Sequence, residues 1–456
     1  MDIPQDPDML SGMKDLLLIM IISYLPFKDA VRTSVLSKRW KNLCYQTRNV
    51  QFNETDFVDL SASEENKLAR RALFVRFMSE WVSWFYGDRI DSFEVKFSKP
   101  DGFQGEMKSL IRFAVSKSVK NLVLDFSCGS ENQVTAIDLP SCVYEKAKLE
   151  SLNLYACGLV ASSFKNMTSL KNLSLGFVEL GSVQSLLMNT PLLESLTLRM
   201  CRNVDLVELI NNERLRELII ENCDFTGSAF YFDVPCLEVF KYSGEFCHIV
   251  FDRLKRRMQE VCLDFGLETE FEETGEILCN ILYDVASATT LTVCTYLLQE
   301  VPNGENPLSL DRPLETRCLT LKTSLYPHEF LGIRFMLKSC YILESLTLEI
   351  VPERILVDYY PPFEFDPDTL WEEKIIYRCL KNTLRVVKIK GFRGILYDLR
   401  FLQYLLRFGR VLQCLELHVS PDVGYNERIV ALAGADTVNR RFRRASKNLV
   451  ITVHNN

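Results

Sequence analysis

The feature that most narrows the fold is a recurring L-x-x-L-x-L. Clean copies are Leu149-Glu-Ser-Leu152-Asn-Leu154, Leu170-Lys-Asn-Leu173-Ser-Leu175, Leu193-Glu-Ser-Leu196-Thr-Leu198 and Leu215-Arg-Glu-Leu218-Ile-Ile220. Looser ones include Val119-Lys-Asn-Leu122-Val-Leu124, Leu343-Glu-Ser-Leu346-Thr-Leu348, Leu384-Arg-Val-Val387-Lys-Ile389 and Leu412-Gln-Cys-Leu415-Glu-Leu417. From Leu152 through Leu173, Leu196, Leu218, Phe240 and Val261, the central residues are 21, 23, 22, 22 and 21 apart. The x-L-x-L piece alternates, so it is a short strand with one apolar face. One unit cannot bury that face alone. Stacked units share a continuous core and a parallel sheet.

The period lies within the roughly 20–29 residues of leucine-rich repeats. Outside the centre the steps lengthen, to 29 and 30 before it and to 30, 28, 27 and 41 after it. Longer units are expected to carry a helix on the convex side, as over 275–286. The longest step holds Val351 to Asp368, where Pro352, Pro361, Pro362 and Pro367 exclude a helix and predict a solvated loop. The position after the strand, ordinarily Asn or Cys in such repeats, is Cys157, Cys201 and Cys223 in three copies. These thiols are expected to be buried and unreactive.

Catalytic chemistry finds no foothold. The chain has four His, at 248, 328, 418 and 454, and none stands in H-E-x-x-H. G-x-x-x-x-G-K-[ST], G-x-G-x-x-G and G-x-S-x-G are absent. Cys414 and His418 stand four apart with no second pair to complete a zinc site, so no metal or cofactor is expected. The 15 Cys never pair as C-x-x-C, and residues 1–8 are acidic where a secretory signal is basic. The apolar run from Leu16 to Ile22 is short of the roughly 20 residues that span a bilayer. An intracellular chain with reduced thiols is expected, in nucleus or cytoplasm, so the sequons at Asn53, Asn166 and Asn172 carry no glycosylation meaning. A net charge of −7 argues against nucleic acid as a partner. Arg440-Arg-Phe-Arg-Arg444 reads as a solvated helix end before a last strand over 448–453, rather than an import signal. The five Glu over 268–276 read as a solvated segment.

The amino-terminal stretch has a different period. Residues 15–24 form an apolar helix, DLLLIMIISY, expected to be buried on more than one side and ended by Pro26. Lys28 to Leu36 is a second helix, and Ser37 caps a third over 38–44. About 40 residues cannot enclose a full core, so part of the apolar surface should be covered by another protein, the alternative being docking onto this chain's own first repeat.

The run Leu25-Pro-Phe-Lys-Asp-Ala-Val-Arg-Thr-Ser-Val-Leu-Ser-Lys-Arg-Trp-Lys-Asn-Leu43 resembles the F-box of plant F-box/leucine-rich-repeat proteins. The stretch with Trp371, Cys379-Leu380, Leu384 to Phe392, Leu402, Leu405-Leu406, Val411 and Leu415 resembles the FBD domain that follows the repeats in one plant subgroup. The resemblance implies an α/β chain: a three-helix F-box over 1–50 and an irregular leucine-rich-repeat solenoid over 51–350. An FBD-like domain over 351–456 continues the solenoid. In that solenoid, parallel strands line the concave face and helices the convex face. It implies docking of the F-box on a Skp-type adaptor, hence on a cullin-RING ligase, while the repeats hold an unknown protein substrate. This is the substrate-recognition subunit of an SCF-type ubiquitin ligase, a non-catalytic role. The residues that match the motif and would form or support the adaptor face are Leu17, Ile21, Ile22, Leu25, Pro26, Ala30, Val31, Val35, Leu36 and Trp40.

Two departures bear on that face. The family usually has Leu-Pro before the first helix, where this chain has Met13-Lys14, and Thr or Ser capping the second, where it has Phe27. A missing cap costs about 1 kcal/mol, so adaptor affinity is expected below the family norm. Two other readings stand beside the ligase subunit. One is a repeat scaffold without ubiquitination. The other is a small-molecule co-receptor, which needs a basic, aromatic pocket on the concave face. There Asn153, Ser174, Thr197 and Ile219 are small, neutral or apolar.

Overall fold

In a computed structural model of the chain, the leucine spacing becomes a ladder. The structure describes residues 10–455 apart from 11, 60, 128–136, 145–147, 160–163, 165–166, 207, 211, 253, 255–256, 304–309, 311 and 421–422. The acidic start over 1–8 and the sequon at Asn166 therefore lie outside the described residues. The chain divides into two compact units. One holds residues up to 206 with 223–226; the other holds 207–222 and everything from 227 onward.

The first unit begins with α1 (Asp15–Tyr24), α2 (Phe27–Arg32) and α3 (Lys38–Cys44), with a 3₁₀ turn, Thr33–Val35, after α2. Among the described residues its ladder has six parallel strands: β1 (Asn49–Asn53), β2 (Ser92–Lys96), β3 (Asn121–Asp125), β4 (Ser151–Tyr155), β5 (Asn172–Gly176) and β6 (Ser195–Arg199). The register runs Val50, Phe93, Leu122, Leu152, Leu173, Leu196, and two residues on Phe52, Val95, Leu124, Leu154, Leu175, Leu198. Every one of these side chains is buried. The helices α4 (Glu64–Trp84) and α5 (Gln104–Ser116) cover the early strands, and a short helix, α6 (Val183–Met188), lies between β5 and β6 in the chain. The α4 helix turns Phe74, Val75, Met78 and Trp81 inward. A buried ion pair ties it to the turn after β1: Arg71 Nε donates to Glu54 Oε1 at 2.7 Å, and Glu54 Oε2 accepts from Ser98 N at 2.6 Å.

Among the described residues the ladder of the second unit has nine parallel strands: β7 (Glu217–Glu221), β8 (Val239–Ser243), β9 (Glu260–Asp264), β10 (Thr290–Val293), β11 (Cys318–Thr323), β12 (Ser345–Ile350), β13 (Val386–Lys390), β14 (Cys414–Val419) and β15 (Val450–Asn455). Leu218, Phe240, Val261, Leu291, Leu319, Leu346, Val387, Leu415 and Ile451 share one rung. The backs differ with step length. Around the short steps the return path is extended, as in Ala229–Asp233 paired with His248–Asp252. The long steps carry α7 (Gly275–Asp284), α8 (Thr295–Glu300), α9 (Phe330–Ser339), α10 (Arg378–Asn382), α11 (Leu396–Phe408) and α12 (Tyr425–Arg441). A helix advances about 1.5 Å per residue against about 3.3 Å for a strand, so a helical return needs more residues. The three strands β13–β15 continue the ladder through the stretch expected to be FBD-like.

Several expectations need correction. The second amino-terminal helix is shorter than 28–36 and starts at Phe27. The last strand begins at Val450 rather than 448. The proline-rich loop is not simply solvated. Val357 bridges Glu270, Tyr359 and Tyr360 pack on Phe271 at 5.6 and 5.3 Å, and Gln299 donates to Arg354 O and accepts from Leu356 N. Prolines forbid its helix but leave carbonyls and aromatic rings free to dock. The acidic segment is mostly exposed, yet Glu268 is half-buried and accepts from Phe246 N. Arg440 and Arg441 do lie at an exposed helix end, with Arg440 paired to Asp436 at 2.7 Å.

The repeat cysteines behave unequally. Cys157 is buried with its thiol 3.5 Å from Tyr155 O, and Cys201 is buried 3.4 Å from Leu175 O. Cys223 is only half-buried, so the expectation fails there. Burial pushes the Cys157 thiol up, and pushes Cys294 up to about 12. Thiolate is the reactive form. Maleimide should therefore label exposed Cys318 in the native chain, while Cys157 and Cys294 react only after unfolding. Mass spectrometry of native and denatured samples reads this directly. Rapid native labelling of Cys294 would contradict its burial.

Candidate functional site

The α1 helix is apolar all round but is buried on one side only. Leu18, Ile19 and Ile22 form a small core with Ala30 of α2 and Leu43 of α3, and Met13, Leu25 and Trp40 pack against it. The opposite face carries Leu16, Leu17, Met20, Ile21 and Tyr24, all exposed, with Leu16 at 71 % and Tyr24 at 85 %. These positions are one, four and five apart, which is one side of a helix. The turn between α2 and α3 adds Val35 at 84 % and Leu36 at 64 % exposure. Scattered exposed apolar residues are normal, whereas seven of them within 21 residues mark an interaction surface.

The expected adaptor residues thus separate. Leu17, Ile21, Pro26, Val35 and Leu36 are exposed; Leu25, Val31 and Trp40 are half-buried. Ile22 and Ala30 are buried in the module's own core. Sequence reasoning missed Leu16, Met20 and Tyr24, because an all-apolar helix gives no sign of which side faces out.

Local chemistry holds these helices in place. Ser37 caps α3, accepting from Trp40 N at 3.2 Å. No side chain caps α1 at Lys14 or α2 at Pro26. The start of α1 is instead tied to α3: Arg39 donates to Met13 O at 2.5 Å and to Asp15 Oδ1 at 2.7 Å. Phe27 has a different task from capping. Its ring is buried against Phe52 of β1 at 5.3 Å and Trp81 of α4 at 5.2 Å, both edge to face. The end of α1 is fixed to β1 as well, with Arg48 N donating to Ser23 Oγ at 3.1 Å and Asn49 Nδ2 to Ser23 O at 2.7 Å.

Elsewhere one constellation has the residue types of a hydrolase. Ser324, His328 and Glu329 lie together and are buried. The order of contacts is wrong for nucleophilic catalysis, which needs the acid to orient the His. Here Glu329 accepts from Ser324 Oγ at 2.9 Å and Thr323 Oγ1 at 2.7 Å, while Ser324 Oγ is 3.5 Å from His328 Nε2. Burial also lowers the His328 pKa to about 4, leaving a weak base. The cluster fixes the turn before α9.

A cleft of about 780 Å³ in the second unit is lined by Arg334, Lys338 and Arg378 and by Glu364, Asp366 and Glu373, with several aromatics. It lies against α9, on the helical side. Its charges balance, and Arg334 is already held by Glu373 at 3.0 Å and Tyr377 OH at 2.8 Å. The basic pocket that a co-receptor reading requires on the strand side is not this cleft.

Along the ladder the outward positions are mixed and half-exposed. Tyr155 OH lies 2.6 Å from Ser174 Oγ, and Lys241 pairs with Glu260 at 2.8 Å and Lys322 with Asp264 at 2.5 Å. Such a surface suits a polypeptide ligand better than an apolar one.

A leucine-rich-repeat ladder behind a three-helix module with an uncovered apolar face defines a class of repeat proteins built for association. The sequence comparisons agree. Residues 89–450 match the family described as At1g61320/AtMIF1, LRR domain, and residues 2–50 match the F-box domain. Three proteins of Arabidopsis thaliana are similar over nearly their whole length. Putative F-box/LRR-repeat protein At1g56400 is 37 % identical, covering 94 % of each chain. Putative F-box protein At3g29830 is 40 % identical over 92 % of this chain and 94 % of its own. F-box protein At3g62230 is 35 % identical over 100 % of both. The chain belongs to the plant F-box/leucine-rich-repeat proteins.

Proposed function

We propose that this chain is the substrate-recognition subunit of an SCF-type ubiquitin ligase. Its F-box docks on a Skp-type adaptor and through it on a cullin-RING ligase, while the outward ladder face holds a protein substrate. The observation that carries this reading is the uncovered apolar face of α1 together with Val35 and Leu36, in a segment that matches the F-box domain. Leu17, Ile21, Val35 and Leu36 contact the adaptor, joined by Leu16, Met20 and Tyr24. Leu25, Pro26, Val31 and Trp40 form its margin, and Ile22 and Ala30 support it from the core. The subunit's contribution is effective concentration, holding substrate beside the charged conjugating enzyme. Residues 351–456 act as the FBD-like end of the repeat region. Support comes from the matching residues Trp371, Cys379, Leu380, Leu384, Phe392, Leu402, Leu405 and Leu406, which are all buried. The assignment places the protein in the nucleus or cytoplasm, where such ligases act.

The uncapped starts of α1 and α2 favour a second reading, a repeat scaffold with a weakened F-box. Co-purification with a plant Skp-type adaptor separates the two. The full chain is expected to retain the adaptor, and a chain lacking residues 1–47 is expected to lose it. No retention by the full chain would leave the scaffold reading in possession. The deletion also uncovers Phe52 and Trp81, so a surface substitution is the sharper test.

A further inference from the structure

We propose that β14 and β15 form a binding site for one divalent transition-metal ion of the zinc class, ligated by Glu416, His418 and His454. Sequence alone offered only Cys414 and His418 at a chance spacing. The ladder register supplies what spacing could not: it sets His418 opposite His454 and Glu416 opposite Thr452 on the same outward face. The two imidazole rings stack, with centroids 4.2 Å apart and planes 9° from parallel. His418 Nε2 is 3.3 Å from Glu416 Oε2, and one ligand atom from each of the three residues lies within 4.8 Å of the others.

With metal–nitrogen and metal–oxygen bonds of about 2.0–2.2 Å, tetrahedral ligand atoms stand roughly 3.3 Å apart. An imidazole lone pair lies in the plane of its ring, so the two stacked rings must turn out of parallel before both meet one ion. Two imidazoles and one carboxylate favour zinc, nickel or copper over magnesium or calcium. The outer contacts are in place too: Cys414 Sγ lies 3.6 Å from Glu416 Oε1, which steadies the carboxylate.

Lys388 sets the competition. Its Nζ sits 3.0 Å from Glu416 Oε2, an oxygen the ion would take. An incoming ion displaces the ammonium. β15 is the edge strand of this ladder among the described residues, and the ion would fasten it to β14.

The test uses the full chain, freed of metal by chelator, titrated with zinc chloride and separately with cobalt chloride. Many cysteines offer competing thiols, so the reference is His418→Ala/His454→Ala, which keeps every one of them. Wild type is expected to bind one equivalent of zinc more than this variant. The cobalt difference spectrum, wild type minus this variant, should show visible ligand-field bands without a near-ultraviolet thiolate charge-transfer band. Glu416→Gln should weaken binding at least about tenfold, as outer-shell losses alone cost about 10–100-fold. Lys388→Met should tighten binding, since it removes a cation beside the site. Both His are half-exposed, so unchanged circular dichroism serves as the folding control. Equal zinc stoichiometry in wild type and the double variant, or a thiolate band in that cobalt difference spectrum, overturns the proposal.

Discussion

Replacing Val35 and Leu36 together by Asp is expected to abolish adaptor capture while leaving the fold intact. Both side chains are mostly exposed in the free chain, and neither belongs to the helical core. Substitution at such positions ordinarily shifts stability by no more than about 0.5 kcal/mol. At an interface the same positions are costly, because apolar anchors enter pockets that exclude water, and a buried unpaired carboxylate is worse than an empty pocket. Two such anchors should cost at least about 3 kcal/mol, or more than about a hundredfold in Kd. Titration of full-length wild type and variant against purified adaptor checks this, with thermal melts alongside. Wild-type affinity in the variant would move the adaptor face elsewhere. Lost affinity with a lowered melting temperature would mean that the turn is structural.

The ladder was legible because its information is local. A side-chain period of two, repeated every 21 to 23 residues, fixes both the strands and their register, and the rungs Leu152–Leu173–Leu196 and Leu218–Phe240–Val261 fall where the pattern puts them. Where the period is carried by other residues, sequence is quieter. β1 presents Val50 and Phe52 without a leucine, and α4 has charges around much of its surface, so the region between the first helices and β2 yields little. What escaped altogether depends on contacts distant in sequence. Phe27 finds Trp81 across 54 residues, Tyr360 bonds Glu273 across 87, and His418 meets His454 across 36. The substrate face is hidden for another reason: outward ladder residues are free of the repeat's constraints, so their identity reflects the ligand rather than the fold.

Phe27 allows the resemblance and the structure to be set against each other in one experiment. Reasoning from the family pattern, Phe27→Ser restores a helix cap and should stabilise the module by up to about 1 kcal/mol. Reasoning from packing, it removes a buried ring lodged edge to face between Phe52 and Trp81. Large-to-small changes of a buried Phe cost about 3–5 kcal/mol, through lost transfer energy and the cavity left behind. Phe52 and Trp81 against it are themselves buried, and collapse of the site is limited by the Ser23 contacts to β1. The packing term is larger, and a net destabilisation of about 2–4 kcal/mol is expected for the first unit. Trp81 is a suitable reporter: it is buried in the native chain, and its fluorescence shifts red as the helices separate from β1. Denaturant titration followed at that signal should show the midpoint fall for Phe27→Ser, and fall less for Phe27→Leu, which keeps most of the apolar volume. Val35 and Leu36 are untouched by the change, so adaptor affinity measured well below the transition should be nearly that of wild type. A higher midpoint for Phe27→Ser would mean that capping outweighs the aromatic contact, and that the helices are joined to β1 mainly through Ser23, Arg48 and Asn49.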